Sequence, residues 1–414
     1  MSDSQRTIGR AEFVALIAAV STINSAAIDM MLPALPNMGD AFHLANANDR
    51  SLVLTAFVVG LGLPQLVFGP VTDRFGRRWP LLIGLLVYAA AALAAPFAPS
   101  FLALCALRFV QGMGSAAASV ATQSAIRDRY SGRAMAEVTS MIWSVFMIVP
   151  ILAPIVGQVI LLFGPWELIF VFMGVMGLIF FAWAKIRLPE TLAAENRRPL
   201  SFSGVTEGFA IVLRNRSSLF YGVAGVFMFG GVLGLVNSAQ QIYVDIYGLG
   251  PYFPLAFAVA PLTFAVAFLT NSRLVARFGM RRLSHGSMLA FVGITAIWLG
   301  FALAGFMPLW LFIGLLTPTI LAQGLAWGNV GALIMEPLGE VAGTASAVFG
   351  SFSTVGAAIL AYGIAQTFNG TTTPVIASFF VFGLLVVGCF LLAERGVLFG
   401  GKPIAAPADH AAMF

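Results

Sequence analysis

Gly69-Pro70-Val71-Thr72-Asp73-Arg74-Phe75-Gly76-Arg77-Arg78 is a charged connector after an apolar run, and its second half returns as Arg277-Phe278-Gly279-Met280-Arg281-Arg282 about half a chain later. A connector that recurs at this spacing points to an internal duplication. Between hydrophobic stretches, such symmetry suggests a transporter built from two related helical bundles.

The composition agrees. Of 414 residues, 59% are hydrophobic and only 9% charged, with a mean hydropathy of +0.94; soluble domains carry about 25% charged residues. Crossing a hydrocarbon core of about 30 Å takes about 20 helical residues. Apolar runs long enough to do so lie at 11–36, 51–71, 79–98, 101–125, 137–163, 167–186, 219–243, 252–272, 284–305, 308–334, 342–366 and 374–393. The expected fold is therefore an all-α integral membrane protein, with twelve transmembrane helices in two pseudo-symmetric six-helix bundles. The bundles fall at 1–186 and 219–394, with a linker at 187–218 and a tail at 395–414. Part of the linker, 202–213, is a candidate surface helix.

Placing the N-terminus in the cytoplasm puts all but Arg50 and Arg108 of the 22 Lys and Arg residues on that side. The positive-inside rule then makes both termini cytoplasmic, and the polar N-terminus leads straight into a span rather than a cleaved signal. The net charge of +5 thus reads as membrane orientation and not as a nucleic-acid surface.

Two intramembrane charges stand out, Asp29 in the first span and Arg108 in the fourth. Ionisable groups in a spanning helix cost a few kcal/mol and by default mark function. Counting residues from the outer ends puts both at a similar depth, so the two could meet. Burial opposes a charge on Asp29 and a nearby guanidinium favours it, a balance suited to a coupling-proton site. A structural salt bridge is the competing reading, though a buried pair is weak evidence for stability.

Ser21, Ser25 and Asp29 recur every four residues, while Arg108, Gln111, Ser115, Ser119 and Thr122 recur at three and four, so each span presents a polar face. From the second half, Asn237, Gln240, Gln241, Gln323 and Trp327 are expected to line the same cavity. Trp143 and Met147 are further candidates, with helix or lipid packing as their alternative role, as it is for Phe349 and Phe352. A lining of aromatic, Met and amide groups suits a mid-sized amphipathic ligand.

Several chemistries find no support. Cys105 and Cys389 stand alone in apolar runs, without the spacing of a disulfide framework or metal site. His43, His285 and His410 lie in loops or at a span edge, which argues against a histidine proton relay. Asn215-Arg216-Ser217 and Asn369-Gly370-Thr371 match the glycosylation pattern but read as a cytoplasmic segment and a turn. No nucleotide-binding glycine loop and no enzymatic constellation is visible, so no cofactor and no ATP-driven pump is expected; a proton gradient is the energy source that the coupling-proton reading of Asp29 would require.

The 69–78 connector resembles the signature loop of the major facilitator superfamily. Arg108-Phe109-Val110-Gln111-Gly112-Met113-Gly114 resembles the fourth-helix motif of its proton-coupled members, and Ala153-Pro154-Ile155-Val156-Gly157, with Pro150 before it, the antiporter motif. Asp29-Met30-Met31-Leu32-Pro33-Ala34-Leu35-Pro36, Ile126-Arg127-Asp128 and Leu188-Pro189-Glu190-Thr191-Leu192 are similar to twelve-helix drug:proton antiporters of the Bcr/CflA type, associated with bicyclomycin and chloramphenicol resistance. The chain departs from the patterns at Ala153, at Gln158, at Ala276 where the first connector has Asp73, and at Trp166-Glu167.

The resemblance implies a proton-coupled multidrug efflux antiporter of the bacterial inner membrane, working by alternating access as a monomer. Its partners would be a small-molecule substrate, protons and membrane lipids. It also implies a gating role for Gly69, Asp73, Arg74, Gly76, Arg77, Arg78, Arg127 and Asp128, and an antiporter role for Pro150, Pro154 and Gly157. The rival readings are a proton-coupled symporter or facilitator importing a nutrient, and a transport-inactive receptor.

Overall fold

The computed structural model describes residues 8–197 and 214–400. The candidate surface helix at 202–213, Arg198, Lys402 and His410 lie outside them. Eleven helical stretches among the described residues are long and apolar enough to span a membrane. The pair Ala47–Gly62 and Gln65–Phe75, bent by 41°, makes twelve if it counts as one span.

The helices are α1 (Arg10–Asp29), α2 (Leu35–Ala41), α3 (Leu52–Gly62), α4 (Gln65–Phe75), α5 (Arg78–Ala94), α6 (Phe101–Arg129), α7 (Gly132–Phe163) and α8 (Glu167–Arg187). After the linker come α9 (Arg216–Gln240), α10 (Phe253–Phe257), α11 (Val259–Phe278), α12 (Met280–Leu303), α13 (Leu309–Met335), α14 (Ala342–Gln366) and α15 (Thr373–Ala393).

Prolines set two decisive breaks. Pro33 has no N–H for the carbonyl of Asp29 four residues back, so α1 stops at Asp29 and a short 3₁₀ turn, Leu32–Ala34, follows. Pro64 likewise cannot serve Gly60, and the second span, continuous in the sequence reading, bends there.

Small residues then let helices touch. A Cβ at Gly60 would overlap the carbonyl of Phe109, and one at Gly112 that of Phe57, so α3 and α6 cross backbone to backbone. Gly84 and Gly114 do the same for α5 and α6. Without a hydrophobic drive in lipid, such approach is a main source of helix association. At Gly157 on α7 the overlap would be with the carbonyl oxygen of Met30, just past the end of α1. Gly157→Ala is therefore expected to cost about 1–3 kcal/mol through overpacking. Thermal unfolding in detergent checks this against Gly293→Ala, whose Cβ meets nothing within 4 Å.

Helices α1–α8 pack chiefly among themselves, as do α9–α15; α3 and α4 against α14, and α7 against α10 and α11, join the two sets. On the face opposite the described N-terminus, Asn48 Nδ2 donates to the carbonyls of Gln366 (3.3 Å) and Phe368 (3.0 Å), and its Oδ1 accepts from Gln241 (2.7 Å). Gln366 also donates to Asp49 (3.2 Å), and Asn237 to Thr55 (3.4 Å). Asn48→Ala removes three of these links, and at about 0.5–1.5 kcal/mol each it is expected to favour opening of this face. Faster thiol labelling of Thr55→Cys, a position only 7% exposed here, is the measurement.

Candidate functional site

On the terminus side of the latch lies a cavity of about 360 Å³ between α1, α6, α7 and the start of α14. One wall is polar: Ser21 and Asn24 of α1 with Ser119, Thr122, Gln123 and Arg127 of α6. The facing wall carries Thr139, Trp143 and Phe146 of α7, the two rings meeting edge to face at 5.2 Å. A second lobe of about 380 Å³ shares Ser119, Gln123 and Arg127 and runs to Asp73, Arg77 and Asp128.

Asn24 holds the polar wall together, although nothing singled it out in the sequence. It donates to Ser119 Oγ (2.7 Å) and accepts a hydrogen bond from Ser115, which staples α1 to α6. Its signal was its position three residues after Ser21, on the same helical face.

Asp29 is the last residue of α1 and only 6% exposed; its carboxylate accepts from Ser25 Oγ at 2.5 Å. Asp29 and Arg108, which could have met at this depth, have separate partners. The wholly buried guanidinium donates to the carbonyls of Ala27 (2.7 Å) and Val53 (3.3 Å) and to Gln111 Oε1 (2.6 Å), and lies 4.5 Å from the centre of the Phe57 ring. The physical reason is azimuth. Residues two apart on a helix point roughly 200° apart, so a group meeting α1 at Ala27 misses the side chain of Asp29. Arg108 instead serves a carbonyl in the final turn of α1, where the helix itself supplies no N–H partner.

The remaining amide candidates lie elsewhere. Gln241 and Asn237 belong to the latch, Gln240 donates to Asp245 (3.2 Å), and Gln323 donates to the carbonyl of Met228 (2.6 Å) inside the second half. Trp327 packs edge to face on Phe229, Phe349 is buried, Phe352 is exposed, and half-buried Met147 is not on the cavity wall. Of the expected polar-face and cavity residues the structure brings together Ser21, Ser119 and Thr122 on the polar wall and Trp143 on the facing one, with Ser115 held behind the polar wall by Asn24.

The 69–78 connector forms a dense network. Gly76 sits at φ +88°, a conformation natural to glycine, and the matching Gly279 at +79°. Arg77 bridges Asp73 (2.6 Å) and Asp128 (2.9 Å), so these two helix ends are joined through a guanidinium rather than by direct contact. Burial opposes the charge of Arg77, but its hydrogen bonds to Asp128 and Asp73 outweigh that and hold it above the usual arginine range. Glu190 accepts from the N–H groups of Arg77 (2.8 Å) and Arg78 (3.3 Å), where α5 begins, and Arg78 donates to the carbonyl of Lys185 (2.9 Å). Arg74 is exposed, and a Cβ at Gly69 would meet nothing within 4 Å.

The second half repeats the device with other residues: Arg281 bridges Glu336 (2.7 Å) and Glu394 (2.8 Å). Tyr221 donates to Glu394 (2.8 Å) and contacts His285 Nε2 (3.0 Å). Pro150 and Pro154 lie inside α7, about two turns and one turn respectively before the contact of Gly157 with Met30. Among the described residues no cluster of His, Cys, Asp and Glu is arranged to hold a metal.

Comparisons with known proteins bear on this arrangement. The chain is 30% identical over 379 residues to a bicyclomycin resistance protein homolog of Haemophilus influenzae, covering 91% of this chain and 93% of that one. To a chloramphenicol resistance protein of Pseudomonas aeruginosa it is 31% identical over 349 residues, covering 81% and 79%. Its fold superposes on the crystal structure of the nucleoside transporter NupG with a TM-score of 0.71 at 14% identity, over 93% of this chain and 99% of that one. The sequence profile of the Major Facilitator Superfamily matches residues 17–361, and with the duplicated connectors and the two packed helix sets described above, the chain belongs to that superfamily.

Proposed function

We propose that the protein is a proton-coupled efflux antiporter of the bacterial inner membrane, exporting lipophilic or zwitterionic small molecules in exchange for protons by alternating access. Its superfamily is one of transporters and not enzymes. Export is supported by the relatives, which are named for resistance to bicyclomycin and chloramphenicol.

The observation that carries the reading is the asymmetry of the cavity. It lies toward the face holding the described N-terminus, while the opposite face is latched by hydrogen bonds between the two helix sets. Positive residues concentrate on the terminus face, so that face is cytoplasmic and the conformation is inward-facing. A substrate from the cytoplasm enters between α6, α7 and α14. Asp29 sits at the far end of α1 from that mouth, with the Ser25 hydroxyl and, among the described residues, no cation against its carboxylate. A proton arriving there from outside removes an uncompensated charge at the break in α1. Because Met30 packs against Gly157, a shift of that turn is passed to α7, which carries the aromatic wall. Arg108 holds the last turn of α1 in place, and the Arg77 and Arg281 networks keep each set of helix ends rigid as the halves rock.

Proteoliposomes with an imposed pH gradient test the reading. An antiporter concentrates substrate on the acidic side. Accumulation on the alkaline side would show a symporter, and movement indifferent to the gradient a facilitator.

A further inference from the structure

The cavity carries an electrostatic preference that goes beyond efflux in general, though it rests on the cavity being the substrate site. Among the described residues the first lobe has one ionisable side chain, Arg127, and no carboxylate. In the second lobe both carboxylates, Asp73 and Asp128, are engaged by Arg77 and the formal charges balance, so the excess positive charge is confined to the first lobe. Arg127 donates only to the carbonyl of Gln123 on its own helix (3.4 Å), and among the described residues no carboxylate pairs with it. Asp29 is not on the wall but buried against Ser25, and Glu137 of α7 is paired with Arg10.

We infer that the site selects neutral or anionic aromatic compounds bearing hydrogen-bonding groups, and discriminates against lipophilic cations. The aromatic part packs on Trp143 and Phe146. Its amide or hydroxyl groups reach Gln123 and Thr139, whose side chains face the cavity from opposite walls. Any negative or electron-rich group turns toward Arg127. Ring faces attract a cation only weakly at an exposed site. On the first lobe's wall the guanidinium of Arg127, which has no carboxylate partner among the described residues, repels it.

The test is equilibrium binding to the purified full chain in lipid nanodiscs at fixed ionic strength, with chloramphenicol as the neutral probe, its succinate ester as the anionic one and tetraphenylphosphonium as the cation. The anion and the neutral compound are expected to bind, and the cation about tenfold or more weaker than either. Arg127→Gln should weaken the anion selectively and narrow its margin over the cation, and Gln123→Glu should bring in cation binding. The Gln123→Glu result stands even if Arg127→Gln fails to fold. Cation affinity equal to or above that of the other probes, binding of none of the three, or a charge preference that neither variant changes would overturn the assignment. The same order of binding without proton-driven transport in proteoliposomes would sink the efflux reading and leave this one standing.

Discussion

Asp29→Asn is expected to abolish uphill transport while leaving substrate binding measurable. Asparagine keeps the volume of the side chain and an oxygen to accept from Ser25, now 2.5 Å from the carboxylate, so the end of α1 and its packing on Gly157 should survive. What disappears is the ability to take up and release a proton. One proton moving down one pH unit supplies about 1.4 kcal/mol, enough for about a tenfold concentration ratio. In liposomes carrying the variant that ratio should fall to about one, while exchange of labelled for unlabelled substrate without a gradient continues. Undiminished accumulation would remove Asp29 from the coupling step.

Arg108→Leu should instead damage the fold. The guanidinium serves the carbonyls of Ala27 and Val53 and the side chain of Gln111, tying α1, α3 and α6 together at full burial. Its loss strands buried acceptors at about 1–3 kcal/mol each, so a drop of about 3 kcal/mol is expected as a lower unfolding temperature in detergent. Arg108→Lys keeps the charge but not the planar fork that reaches several acceptors, and should recover only part of the loss. If Arg108→Lys retains full stability yet loses coupling, Arg108 acts on the proton directly rather than by holding α1.

The contrast between these two residues shows what the sequence made legible. Hydropathy set the spans, and the repeated Arg-Phe-Gly connector marked the duplication, because both are one-dimensional patterns. Depth is also one-dimensional, which is why Asp29 and Arg108 could be placed at similar levels by counting. Azimuth is not. The break at Pro33 and the crossing of α3 with α6 at Gly60 and Gly112 decide which way Arg108 points, and no count along the chain reveals it. Asn24 was within reach as a member of the Ser21 face. Gln240, Gln241 and Gln323 looked like cavity residues because an amide in a span needs a partner; theirs are Asp245, Asn48 and the carbonyl of Met228. Glu190 could not be placed by spacing, since it closes the start of α5 from beyond the end of α8.

The latch on the face opposite the described N-terminus is made of amides, peptide carbonyls, the Thr55 hydroxyl and one carboxylate, Asp49, with no cation among its partners in the described residues. Hydrogen bonds between mostly neutral groups are hardly screened by dissolved ions, whereas exposed ion pairs are. In the proposed orientation, with the termini cytoplasmic, the closure on the outer face would thereby be insulated from changes in external salinity.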